Sequence, residues 1–343
     1  MRALCGFAFV LTLVVVLLGA FTRLTDAGLG CPDWPGCYGF NYVPATAGEH
    51  ALAAERFPDA PLEVTKARNE MIHRYAAGTL GLTILVMALV SLRPANRRYR
   101  LPAFLLLALV LGQATLGMLT VTLNLMPFVV MGHLLGGFTI LALLFWIWCR
   151  QGACKESRPK VQGVSGLFRL ALAALVLQIA LGGWTAANYA ALACTELPVC
   201  QGDWLSQWQW SAFHPHGMPA ETYQYGVLSQ PERATIHAAH RLWAMVTAVL
   251  LLALARQLGR HPGLRLWGLA LGLMVLLQLA LGVANVMLHL PLWVAVAHNG
   301  GAAVLLLILT GTGERLGRFG EEKWQEAWQF SPAGHTSGRT ISH

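Results

Sequence analysis

An all-α polytopic membrane protein, with eight transmembrane helices as two pseudo-twofold-related four-helix bundles, is the fold class this sequence predicts. Three observations carry it: composition, the form of the apolar runs and an internal repeat. Of 343 residues, 56% are hydrophobic and only 12% are charged. A soluble domain carries about 25% charged residues, and a chain this apolar could not hide its surface from water. The apolar runs are continuous rather than alternating, which favours helices over barrel strands. Lipid offers backbone groups no hydrogen-bond partner, so each span must satisfy its own.

The first span, 3–22, empties into "GLGCPDWPGC", a Gly- and Pro-rich loop with cysteines at 31 and 37. Arg2 ahead of an apolar run could mark a cleaved signal peptide, but the span belongs to the repeat described below, so it is expected to be retained. The second span, 70–92, opens on "NEMIHR" and ends in Arg93, Arg97, Arg98 and Arg100. The third, 101–123, contains "LGQATLG", and the fourth, 127–149, starts at Pro127 and contains "VMGHLLGG". A polar, basic linker, 151–164, separates this half from the next. The fifth span, 167–188, carries "LQIALGG" and is followed by "ACTELPVC", with cysteines at 194 and 200. Spans 234–255, 265–287 and 292–312 complete the set, the seventh with "LQLALGV" and the eighth with "AVAHNGGA". The tail, 314–343, ends in "SPAGHTSGRTISH" and is expected to be disordered.

The repeat fixes the organisation. Gly19 falls on Gly182 at an offset of 163, which also sets Cys31 on Cys194 and Cys37 on Cys200. At an offset of 167, His73 falls on His240 and Arg74 on Arg241; at 165, His133 falls on His298. Residues 1–150 and 165–313 are therefore expected to be equivalent halves.

The net charge of +8 orients the chain and implies no nucleic-acid partner. Arg2, the arginines at 93–100, Arg150, Lys155, Arg158, Lys160, Arg169, Arg256, Arg260, Arg265, Arg315, Arg318 and Lys323 all fall on one side if spans alternate. The positive-inside rule makes that side the cytoplasm. Both termini are then inside and both cysteine loops outside.

Each half sets one histidine in its second span and one in its fourth, expected near the outer helix ends. A lone histidine there could simply meet interfacial water. A duplicated pair at matched depth is better read as functional, because ionisable groups inside spans are costly. Two imidazoles facing across a bundle, without thiolate or carboxylate companions, suit the axial positions of haem iron. Arg74 and Arg241 then become candidates for haem propionates. One position breaks the symmetry: Glu70 stands three residues before His73, where His237 precedes His240. Glu70 could be a solvated helix-start glutamate favoured by the dipole. It could instead accept a proton at a reacting substrate, which would make one haem a substrate and the other an electron carrier.

Outside the cytoplasm close cysteine pairs oxidise, and Pro32, Pro35 and Pro198 can hold each C-x5-C loop within disulfide range. Disulfides Cys31–Cys37 and Cys194–Cys200 are expected, each closing a lid over the histidines, with a redox-active bridge as the alternative. Cys5, Cys149 and Cys154 are expected to be reduced. The outer loop 201–232 carries Trp204, Trp208 and Trp210, expected to lie at the interface; His214 and His216 are expected to be solvated.

With two four-helix halves, "TRLTDAGLGC" after the first span, "NEMIHR" and "IHAAHR", nearly the whole chain up to about residue 313 resembles the haem A synthase family. The resemblance implies oxidation of the C8 methyl of haem O to a formyl group through successive hydroxylations and loss of water, for cytochrome oxidase biogenesis. It places the substrate haem O between His73 and His133, a haem b cofactor between His240 and His298, and the catalytic carboxylate at Glu70. It implies a bacterial cytoplasmic (inner) membrane location, with haem O synthase and an electron donor as expected partners beside membrane lipid. Two rivals share part of this pattern. An electron-transferring cytochrome b or quinol oxidoreductase needs no one-sided carboxylate, and a membrane thiol-disulfide oxidoreductase needs no histidine layer.

Overall fold

The computed structural model describes residues 1–153, 164–197, 200, 204–214 and 219–317. Nine α-helices run through them: α1 (Arg2–Leu24), α2 (Ala47–Arg56), α3 (Val64–Ser91), α4 (Arg100–Thr122), α5 (Pro127–Trp148), α6 (Val164–Ala187), α7 (Gln230–Gly259), α8 (Arg265–Met287) and α9 (Leu292–Arg315). All but α2 belong to the eight segments long and apolar enough to cross a membrane. Among the described residues there is no strand, only an isolated bridge between Cys37 and Phe40. The protein is an all-α, multi-pass membrane protein. Much of linker 151–164, with Lys155, Arg158 and Lys160, and nearly all of tail 314–343, with Arg318 and Lys323, lie outside the described residues, as do Cys154, Pro198 and His216.

Proline at the first turn starts α5 and α7, where a missing N–H costs nothing. Hydroxyls within spans fold back onto the preceding turn, as Thr12 does to the Ala8 carbonyl at 2.7 Å and Thr310 to Leu306 at 2.8 Å. Those bonds satisfy the side chains without water. Between helices the backbone takes positive φ at non-glycine residues, and the positions pair at the repeat's offsets: Asp26 with Tyr189, Asn124 with His289, Leu125 with Leu290.

Helices α1, α3, α4 and α5 pack on one another, as do α6, α7, α8 and α9, and the two groups meet along α1, α5, α6 and α9. Cys5, Ile84, Met87, Leu106 and Leu144 centre one apolar core. Phe168, Leu175, Leu251, Leu271 and Leu309 centre the larger one. At the end that bears the cysteine loops, Arg23 bolts the groups together. Its guanidinium donates to the Ala186 carbonyl at 2.6 Å and lies 3.9 Å over the Tyr189 ring. A cation at a helix C-terminus meets unsatisfied carbonyls and the negative end of the dipole.

The spans agree with the sequence reading, with two departures. Helices α3 and α7 begin at Val64 and Gln230, before the expected 70 and 234. For α7 the cause is a capping box, Ser229 with Glu232. The second departure is Cys149, which is disulfide-bonded rather than reduced. Helix α5 ends there, and Gly152 turns the chain at φ 93°. The expectation rested on the compartment alone and carried no knowledge of that turn. Cys5 is the free, buried cysteine among the described residues.

Candidate functional site

The site is built from the loop after α1, the first half of α3, and the matching loop and helix of the other group. Gly30 lets the first loop lie directly on α3: a Cβ there would come within 2.5 Å of the Lys66 backbone carbon. Asp33 then closes the loop's turn, accepting from the Tyr38 and Gly39 backbone N–H groups at 2.6 and 2.8 Å. Cys31 and Cys37 are disulfide-bonded, and so are Cys194 and Cys200, as the sequence predicts. The first bridge is packed against Ala67 and Met71 of α3, and the second against Ala238 of α7, with Trp204 and Trp208 over it.

Each bridge is pinned to the helix beneath by the same two positions. Glu70, only 4% exposed, accepts from the Cys31 backbone N–H at 2.9 Å and pairs with Arg74 at 2.5 Å. Arg74 also donates to the carbonyls of Asp33, Pro35 and Gly36. In the other group, the Cys194 N–H lies 3.3 Å from His237 Nδ1, and Arg241 Nε lies 3.1 Å from His237 Nε2. Arg241 reaches the carbonyls of Glu196 and Cys194 at 2.6 and 2.5 Å. A carboxylate accepts both donors, whereas a neutral imidazole has one acceptor nitrogen and can serve only one at a time. At this one position the first lid therefore has one more hydrogen bond than the second, and a charge besides.

This corrects the plainer reading of Glu70. It lies six residues inside α3 and is buried, so it is no solvated helix-start glutamate. The role of the two arginines as loop clamps was invisible in the sequence, because their partners are backbone carbonyls.

The histidines lie in the helices beneath the lids. Since α3 and α7 start early, His73 and His240 occupy the third turn rather than the first. The His73 and His133 rings stand 6.4 Å apart at 80°. Two metal–imidazole bonds of about 2 Å each, plus the half-widths of two rings, add to about 6 Å. Every one of the four rings rests on a glycine of a neighbouring helix. A Cβ would stand 3.1 Å from His73 at Gly19, 3.4 Å from His133 at Gly117, 3.2 Å from His240 at Gly182 and 3.3 Å from His298 at Gly282. Buried, unpartnered ring nitrogens remain at His133 Nδ1 and His298 Nδ1. No cluster of three or more His, Cys, Asp or Glu side chains fit for a bare metal ion occurs among the described residues. Paired imidazoles with glycine-lined approaches fit a flat metal macrocycle held by two axial ligands.

The loop after Cys200 is less regular than an interfacial amphipathic helix. Its described part holds a 3-10 turn, Trp210–Phe213, with Trp210 75% exposed and His214 exposed. It also crosses to the other helix group: the Tyr223 N–H donates to the Asn124 carbonyl at 2.9 Å, and Asn124 donates to the Glu221 carbonyl at 2.7 Å. Thiol labelling of unfolded, unreduced protein is expected to modify Cys5 and spare Cys31, Cys37, Cys194 and Cys200. Full labelling of Cys194 and Cys200 without reductant would remove the lid from that half.

The family described as "Cytochrome oxidase assembly protein", COX15-CtaA, matches residues 2–310. The chain is 49% identical to a haem A synthase of Shewanella oneidensis over 303 residues, 88% of this chain and 92% of the relative. It is 30% identical to a haem A synthase of Caulobacter vibrioides, covering 89% of this chain and 92% of the relative. It is 27% identical to the haem A synthase COX15 of Arabidopsis thaliana, covering 86% and 70%.

Proposed function

Because the chain belongs to the COX15-CtaA family of cytochrome oxidase assembly proteins, we propose that it is a haem A synthase, an oxidoreductase converting the C8 methyl of haem O to the formyl group of haem A. The observation that carries this reading is the pair of histidine sites, alike in their glycine supports and unlike in one buried residue, Glu70 against His237. The substrate haem O binds between His73 and His133, beside the carboxylate. Haem b is the resident cofactor, ligated by His240 and His298.

Bound haem b supplies the one-electron chemistry that side chains lack. The chain's own contributions are ligation, exclusion of water and charge. The histidines fix the two macrocycles, and the disulfide lids cover them from the loop face. Glu70, on the same helix face as His73 one turn away, offers the reacting edge a buried carboxylate for a proton released there. Arg74 and Arg241 stand beside the histidines, where a propionate can replace a loop carbonyl. The basic loops face the cytoplasm and the cysteine loops the outer side of a bacterial inner membrane. Haem O synthase and an electron donor are the partners this reading requires.

Expression in cells that make haem O but no haem A is the test. Haem A in the extracted pigment is the expected result. Its absence, with the chain present in the membrane and carrying haem b, would return the protein to electron transfer alone.

A further inference from the structure

Between Cys200 and α7 the segment 221–226 spans the junction of the two helix groups. At one end it rests on its own half. Gly226, at φ 82°, backs onto the end of α6, where a Cβ would stand 3.1 Å from the Asn188 carbonyl oxygen. The Tyr225 ring lies 5.9 Å from that of Tyr189, the residue beneath the Arg23 guanidinium. At the other end two hydrogen bonds close on a single residue of the first half, in the turn between α4 and α5. The Asn124 carbonyl accepts from the Tyr223 N–H at 2.9 Å, and Asn124 Nδ2 donates to the Glu221 carbonyl at 2.7 Å. The next residue, Leu125, is 5% exposed and lies against the base of the first lid: a Cβ at Gly28 would come within 3.0 Å of Leu125 Cδ2. Three residues beyond Gly28 stands Cys31, whose N–H is held by Glu70.

The repeat supplies its own control. The turn between α8 and α9 takes the same shape, with φ 57° and 63° at His289 and Leu290 against 47° and 64° at Asn124 and Leu125. There Leu288 is 60% exposed, His289 is exposed, and among the described residues no hydrogen bond ties His289 to a loop. The turn therefore forms without a strap, and the bonds on Asn124 serve to hold it in place. We propose that Asn124 is a positioning residue: through it the loop of the second half holds Leu125 under the first lid, and so keeps the Cys31 loop seated on Glu70 while the substrate reacts. The inference rests on placing the substrate in the first half. A cofactor site can stay shut, whereas a substrate site must open and close. Two hydrogen bonds on an exposed residue are a fastening of the kind that local opening breaks and remakes. Their rupture releases the first lid and leaves the hold of His237 and Arg241 on the second in place.

The test follows reduction of the two disulfides in the folded, purified protein by a water-soluble phosphine, with the freed thiols labelled at timed intervals and identified by peptide. Asn124→Asp keeps the side chain's shape and its tolerance of positive φ, but turns the donor into an acceptor facing the Glu221 carbonyl. Asn124→His copies the unstrapped turn. Each is expected to speed reduction of Cys31–Cys37 by about 2–10-fold, the effect of one lost neutral hydrogen bond. Reduction of Cys194–Cys200 and the haem b spectrum should stay unchanged, and haem A formation should fall. Unchanged reduction of Cys31–Cys37 in both variants overturns the proposal. Equal acceleration of both bridges overturns it too, since that marks a general loosening. Selective opening of the first lid with haem A formation unaltered overturns the role in the reaction. If the chain itself forms no haem A while the two bridges respond as stated, the haem A synthase reading fails and the hold of one half on the other's lid stands.

Discussion

Replacing His240 or His298 by Ala is expected to abolish the low-spin haem b spectrum of the purified protein. A low-spin haem needs two strong axial ligands, and the second helix group offers these two beneath its lid. The fold should survive the change, because each ring lies against a glycine of the neighbouring helix, Gly182 or Gly282. His237 cannot substitute: it lies under the disulfide, with the Cys194 N–H at one ring nitrogen and the Arg241 guanidinium at the other. The corresponding His73→Ala and His133→Ala variants should keep the haem b spectrum and lose bound haem O. An unchanged low-spin spectrum in both His240→Ala and His298→Ala would sink the assignment of the cofactor half.

Glu70→Gln is expected to retain haem b and haem O yet form little haem A, with a loss on the order of 10²–10⁴-fold in turnover, the usual contribution of an acid–base residue. The structure adds a cost that the sequence did not foretell. Gln can still accept the Cys31 N–H but no longer pairs with Arg74, and a hydrogen bond to a charged group contributes about 1.5–3 kcal/mol. A slight loosening of the first lid is therefore expected in the same variant. Glu70→Ala would leave Arg74 uncompensated and cost about 3–5 kcal/mol, so the Gln variant is the cleaner probe. His237→Gln tests the lid role alone: an amide can accept from the Cys194 N–H as the imidazole does, and turnover should fall far less. Near-normal haem A formation by Glu70→Gln would leave the carboxylate as a fastener of the lid.

Much of this was legible before any coordinates. Eight apolar runs marked eight membrane helices, and the offsets of 163, 165 and 167 lined up the histidines, glycines and cysteines of the two halves. Helix α2 was missed although Thr46 and Glu49 spell a capping box; it is short, polar and outside any apolar run. The early starts of α3 and α7 were missed because the polar residues before 70 and 234 hid helix behind low hydropathy. That mattered, since Glu70 looked like a helix end until Val64 was found to open the helix. Arg74 and Arg241 were recognised as cations near histidines, but their partners are carbonyls, which leave no mark in a sequence.

The central claim is that one chain holds two haems in different roles, one retained and one transformed. Extraction and chromatographic identification of the pigment bound to the purified protein tests it most directly. The account predicts haem b together with a second pigment from the reaction itself: haem O, its hydroxylated form or haem A. That second pigment should vanish in His73→Ala while haem b persists. Haem b alone, unaffected by His73→Ala even in cells that accumulate haem O, would contradict it.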